Sequence, residues 1–264
     1  MSRLVHGGRT LYGHAVGILM LDTLAPRLPG DVGNALTWPF PVRYRIVKGA
    51  DPSRIMGQRP DPGLLAPFVD AARELEAEGV RAITTSCGFL AVYQPELASA
   101  VGVPMLTSAL LQVPLAARLI RKGQRVGILT ERPNLTERHF EGVGWSSRDI
   151  PVVVQAMPAD AVFPTVYIDN ALVADPAVLE REMIDAAEQL VLAHPEVGAI
   201  VLECTNFVPF AQAIRRATGR PVLDLYTLVV QTYLATAGTS FPAGRPSSAA
   251  EMLPELRKPT SPRN

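Results

Sequence analysis

Val80-Arg81-Ala82-Ile83-Thr84-Thr85-Ser86-Cys87 and Val197-Gly198-Ala199-Ile200-Val201-Leu202-Glu203-Cys204 decide the reading of this chain. Each is a short run rich in apolar and β-branched residues that ends on a cysteine, the pattern of a strand buried on both faces. The two lie 117 residues apart, and the same offset pairs Gly102 with Gly219, Pro104 with Pro221 and Leu106 with Leu223. Upstream, Val16-Gly17-Ile18-Leu19 returns as Val126-Gly127-Ile128-Leu129, 110 residues later, so the second copy carries a modest insertion. Working outward, strands are expected at Ala15–Leu21, Val42–Lys48, Val80–Thr85, Val103–Leu106, Arg125–Thr130, Pro151–Ala156, Val197–Leu202 and Val222–Leu225. Helical spacing fills the gaps at Gly63–Glu78, Phe89–Ala100, Leu110–Ile120, Leu135–Glu141, Pro176–Ala193, Phe207–Ala217 and Leu228–Ala235. This alternation implies βαβ units, hence an α/β fold of two similar lobes with parallel sheets, related by internal duplication.

Composition narrows the function. The 264 residues carry 25 Lys+Arg against 25 Asp+Glu, so there is no basic excess for a nucleic-acid partner. No apolar run approaches the ~18 residues of a membrane span, and no signal-peptide pattern opens the chain. A cytoplasmic protein without nucleic-acid or membrane partners is expected. The tail from Phe241, rich in Pro, Ser and charge, reads as a surface wrap or a disordered end. No GxGxxG follows the first strand, no Walker A pattern occurs, and the histidines stand at no ligand spacing to the cysteines. No cofactor and no metal are therefore expected. Ser86-Cys87-Gly88 fits half of a nucleophile elbow, but Thr84 stands where that turn needs glycine.

The chain has two cysteines, Cys87 and Cys204. Buried free cysteine is a common small hydrophobe, yet packing does not require one at the same place in both copies of a repeat. Parallel sheets bind ligands beyond the carboxyl ends of their strands, and both thiols fall there, each before an apparent helix whose N-terminus would lower a thiol pKa. If the lobes face each other, one thiolate can remove a proton from a carbon while the other thiol delivers one to the far face. Neighbouring Thr and Asn donors would hold a carboxylate and its enediolate-like intermediate. The candidate binding residues are Ser86, Gly88, Thr205 and Asn206 beside the thiols, and Asp31 and Asn34 in the turn-rich loop after the first strand. Thr130, Asn134 and Thr136, where the second VGIL unit meets its helix, complete the set. Arg27, Arg43 and Arg132 are the candidate cations for a second carboxylate, and Phe89 and Phe207 would favour a less polar or cyclic substrate.

Thr85-Ser86-Cys87-Gly88, Glu203-Cys204-Thr205-Asn206, and Val126–Leu129 with Thr130 and Asn134-Leu135-Thr136 resemble the aspartate/glutamate/hydantoin racemase superfamily, over most of the chain. The resemblance implies two flavodoxin-like lobes, here 1–108 plus 225–264 and 109–224, with a cofactor-independent Cys/Cys site in the cleft between them. It implies a racemase or epimerase of an amino acid or related carbon acid, a small substrate bearing a carboxylate or hydantoin-like group, and a homo-oligomer. Glutamate-racemase-like members follow the first Cys with Asn-Thr and the second with Thr-His; Gly88-Phe89 and Thr205-Asn206 here point away from glutamate itself. Arylmalonate decarboxylases of the same architecture keep one of the two cysteines, and this chain has both. A maleate-type cis–trans isomerase and a non-catalytic two-lobe ligand-binding protein stay open as alternatives.

Overall fold

The computed structural model describes residues 7–57 and 61–237; the tail from Phe241 lies outside them. Among the described residues, eight strands run as β1 Val16–Leu21, β2 Val42–Val47, β3 Ala82–Thr85, β4 Met105–Leu106, β5 Arg125–Thr130, β6 Val152–Ala156, β7 Val197–Leu202 and β8 Val222–Leu223. They form two four-stranded sheets, ordered β2-β1-β3-β4 and β6-β5-β7-β8, with every pairing parallel. The identical order is the internal repeat seen in three dimensions. Backbone bonds repeat with it: Ile83 N donates to Pro104 O at 2.8 Å and Ile200 N to Pro221 O at 2.9 Å. Likewise Ser86 N donates to Leu19 O and Glu203 N to Leu129 O, both at 2.9 Å.

Nine α-helices stand among the described residues: α1 Pro52–Ile55, α2 Leu65–Glu78, α3 Gln94–Ala100, α4 Val113–Leu119, α5 Glu137–Gly142, α6 Val162–Tyr167, α7 Pro176–Ala193, α8 Ala211–Thr218 and α9 Leu225–Ala237. The two long amphipathic ones cover equivalent faces. α2 buries Phe68, Ala71, Ala72 and Leu75 against the first sheet, and α7 buries Leu179, Met183, Ala186, Ala187 and Leu190 against the second. Each large side chain so buried contributes about 1.5–3 kcal/mol. α9 returns to the first sheet, where Leu225, Leu228 and Val229 pack with Val16 and Ile18.

Three expected helices start late. Gly88–Tyr93, Ala109–Gln112 and Thr205–Phe210 are 3₁₀ turns, and the α-helices begin after them. Pro95 and Pro114 explain two of these, since a residue without N–H is accommodated in the first turn of a helix but not in its interior. Pro209 sits inside the third turn. α1 and α6 had no periodic signal because four and six residues are too few to show one.

Gly17 and Gly127, equivalent residues of the VGIL repeats, let the long helices approach the sheets. A Cβ at Gly17 would lie 2.9 Å from Leu75 Cδ1; one at Gly127 would lie 2.8 Å from Leu190 Cδ2 and 3.0 Å from Val197 Cγ1. We expect Gly127→Ala to lower unfolding stability by about 1–3 kcal/mol through overpacking, read as a lower urea midpoint with unchanged slope. An unchanged midpoint would show that Leu190 moves aside freely.

Candidate functional site

Both cysteines sit where the strand order places a ligand. Cys87 follows β3 and Cys204 follows β7, each extended in backbone and each leading into a 3₁₀ turn. Their side chains line one cleft between the sheets' carboxyl ends, with Ser86, Gly88, Thr205 and Asn206. Apolar walls come from Leu21, Pro52, Met56 and Phe89. The two cysteine loops are tied directly, since Thr205 Oγ1 donates to the Ser86 carbonyl at 2.7 Å. Ser86 Oγ in turn accepts from Leu21 N at 2.8 Å, so this pair is spent on holding the loops in register.

Two buried carboxyls complete the floor. Cys204 Sγ donates to Glu131 Oε2 at 3.1 Å, and Thr130 Oγ1 donates to Glu203 Oε2 at 2.8 Å. The outer oxygens, Glu131 Oε1 and Glu203 Oε1, are buried without a hydrogen-bond partner, as is Tyr167 Oη in the same cleft. Gly88 is required here, because a Cβ would overlap Glu203 Oε1 and the Glu203 carbonyl oxygen.

These placements set the protonation. Burial pushes Glu131 up to about 8, with Glu203's charge adding and the Cys204 hydrogen bond opposing. Burial likewise raises Glu203 to about 7, against the Thr130 hydrogen bond. The expectation that helix N-termini would lower the thiol pKa values is corrected. Burial raises both, and the neighbouring Glu131 and Glu203 charges raise them further. Backbone N–H groups of Phe89 and Leu90 toward Cys87, and of Asn206 toward Cys204, oppose this only in part, because short 3₁₀ turns follow the thiols instead of long helices.

Among the described residues, Arg27 is the one basic residue lining the cleft. Its Nη1 donates to Asn206 Oδ1 at 2.9 Å and to Asp31 Oδ1 at 3.2 Å, and its Nη2 donates to Thr23 Oγ1 at 2.6 Å. Asp31 therefore stands behind Arg27 and does not line the cleft, and Asn34 bonds the Arg27 carbonyl and caps a 3₁₀ turn. Asn134 donates to the Met56 carbonyl, and Thr136 forms a capping box with His139 at the start of α5. Thr130 reaches the site through Glu203. None of these five side chains lines the cleft, each being occupied by a protein partner; Ser86, Gly88, Thr205 and Asn206 do line it. Of the other expected cations, Arg43 pairs with Glu78, while Phe207 is core beside Phe163. Glu131 and Tyr167 were missed. Glu131 follows the carboxyl end of β5, a position that strand order alone marks as a ligand site; Tyr167 lies on the short α6, which left no signal. Among the described residues, no group of three or more His, Cys, Asp or Glu is disposed to hold a metal ion. No helix there is long and apolar enough to cross a membrane.

Comparisons with known proteins agree with this architecture. The dimethylsulfoniopropionate lyase of Durusdinium sp. clade D is 29% identical over 220 residues, covering 80% of this chain and 71% of that protein. Dimethylsulfoniopropionate lyase 5 of Emiliania huxleyi (strain CCMP1516) is 32% identical over 186 residues, 66% of this chain but only 36% of that longer protein. Among solved structures, an arylmalonate decarboxylase superposes with a TM-score of 0.56 at 18% identity, covering 85% of this chain and 94% of that one. The Picrophilus torridus aspartate racemase gives 0.54 at 16% identity, covering 86% and 96%. At such identities the structures speak for the fold. The Asp/Glu/Hydantoin racemase profile matches residues 48–233, well over half the chain, and the chain belongs to that family.

Proposed function

We propose that this chain is a cofactor-independent carbon-acid enzyme that removes the proton next to the carboxylate of a small zwitterion, with Cys204 as base. The observation that carries this reading is the Cys204–Glu131 hydrogen bond inside a cleft shared with Cys87. Glu131 accepts the thiol proton, and the thiolate takes the proton from carbon. Arg27, already oriented by Asp31, Asn206 and Thr23, is the partner for the substrate carboxylate, whose charge grows as the enediolate forms.

The cleft also selects for positive charge. Two buried carboxyls and two thiols face it, and Arg27, its one cation among the described residues, is already matched by Asp31. A ligand cation beside Glu131 and Glu203 would lower the pKa values of all four groups, so binding would assemble the base. Apolar walls at Leu21, Pro52, Met56 and Phe89 suit an alkylated onium centre better than a heavily hydrated one. With a sulfonium on the β-carbon, the reaction closes as an elimination. The C–H electron pair becomes the new C=C bond, the C–S bond breaks, and a neutral sulfide and an unsaturated carboxylate leave. The relatives named dimethylsulfoniopropionate lyases support this outcome. One observation favours a second reading, racemisation of an amino acid or related carbon acid: departure of a neutral sulfide needs no acid, yet Cys87 faces the same cleft. Incubation with dimethylsulfoniopropionate, following dimethyl sulfide, and with amino acids and hydantoins in heavy water, following deuterium at the stereocentre, separates the two. Neither product in either assay would overturn the proposal.

Arg27→Met is expected to raise KM by about 100-fold or more, since a charge-assisted carboxylate contact is lost and Asp31 is left buried and unpaired. An unchanged KM would remove Arg27 from the site.

A further inference from the structure

The loop from Asp22 to Asn34 leaves β1 of the first sheet but is fastened to the other half of the molecule. Ala25 is buried in the hydrophobic cluster of the second sheet, with Leu28 packed against the same cluster. Gly30, at φ +99°, presses on Pro209, where a Cβ would come within 2.9 Å of the Pro209 Cα. Between these points Arg27 reaches Asn206. The loop is therefore a strap across the cleft, and it carries the cleft's cation.

One side chain fastens its near end. Asn170, in the turn after α6, accepts from Leu24 N at 2.6 Å and from Ala25 N at 2.9 Å through a single oxygen, Oδ1. It is also the only non-glycine residue with positive φ among the described residues, at 62°. Asn tolerates that left-handed backbone better than most residues, and here the strained turn aims its amide oxygen at two consecutive N–H groups from a segment 145 residues away. Tyr167, three residues earlier, lines the cleft, so the same turn serves the site twice.

We propose that Asn170 is a positioning residue: its side-chain oxygen latches the strap over the cleft, fixing Arg27 and shielding the two thiols, and substrate passes when this latch opens. The inference takes from the proposed function only Arg27's role, and its test needs no substrate. With the thiols 8% and 7% exposed, reagent access reports strap opening. The experiment is alkylation of Cys87 and Cys204 by iodoacetamide at fixed pH, with hydrogen exchange at the Leu24 and Ala25 amides, in the full chain. Asn170→Gly keeps the backbone conformation and loses the acceptor; Asn170→Asp keeps an acceptor oxygen. The expected result is labelling about tenfold faster in Asn170→Gly, with Leu24 and Ala25 exchange accelerated, and Asn170→Asp staying near the unsubstituted protein. Unchanged labelling in Asn170→Gly would overturn the latch. So would equal acceleration in Asn170→Asp, or acceleration shared by the core amides of Ile18 and Ile128, which would mark general loosening.

Discussion

Replacing Cys204 by serine is expected to cut turnover about 10³-fold or more, because a hydroxyl cannot serve as base where the thiol did. Glu131 would still accept a hydrogen bond from the new hydroxyl, so folding should be little changed, and circular dichroism with a urea midpoint checks this. Cys87→Ser then decides the fate of the carbanion. If the product is an alkene and a sulfide, Cys87 has no obligatory proton to give, and the variant should stay within about tenfold of the parent. If the product is the other enantiomer, reprotonation from the far face is lost and net inversion falls as far as in Cys204→Ser, while one-sided deuterium exchange persists. Full turnover in Cys204→Ser would remove the thiol from the chemistry and with it the proposed mechanism.

Glu131→Gln is expected to lower activity by about 10²–10³-fold while making the protein more stable at alkaline pH. The stability follows from the sign of the shift. Glu131 holds its proton up to about pH 8 in the folded chain, against an ordinary value near 4.5. From pH 4.5 to 8 the folded state binds the extra proton, so stability falls as pH rises through that window and the loss is complete above it. An uncharged amide abolishes that loss. At pH 9 the variant should gain about 5 kcal/mol relative to its parent, and at pH 4 nearly nothing, measured by urea unfolding at the two pH values. Glu203, raised to about 7, adds a similar slope that the variant retains. A gain equal at both pH values would mean that Glu131 is not strained by burial. In kcat/KM of the parent, the same ionisations give a rise through pH 7–8, and its upper part should vanish with Glu131.

Most of the scaffold was legible because its signals are local or repeat themselves. Arg125–Thr130, Pro176–Ala193 and Val197–Leu202 are read from sequence with the bounds they have in the structure. The pairing of Pro104 with Pro221 anticipated two carbonyls that bond the equivalent strands. The site was legible where it touches the repeat, at Cys87 and Cys204 with their neighbours Ser86, Gly88, Thr205 and Asn206, and at Arg27 among the candidate cations. Asn134 and Thr136 carried real polar signals, but those residues satisfy a loop carbonyl and a helix start. Nothing local distinguishes a cap from a substrate donor. Glu131 reads as one more charged residue until the fold buries it beside a thiol from 73 positions away. Asn170 reads as a turn residue, and only the packing of the strap gives its oxygen two partners.

The return of α9 to the first sheet has a bearing on how the chain is born. Tyr226 stacks on Trp38 with ring centroids 5.6 Å apart, and Tyr233 on Phe40 at 4.0 Å, while Leu225, Leu228 and Val229 close over Val16 and Ile18. During synthesis β1 therefore waits for a cover made some two hundred residues later, roughly 10–40 s at ribosomal speed. Both sheets are drawn from unbroken stretches, β1 to β4 and β5 to β8, but only the first waits for α9. Until α9 arrives, the apolar face it covers, Trp38 and Phe40 with Val16 and Ile18, lacks that cover, and it is where a chaperone or an aggregation contact would take hold.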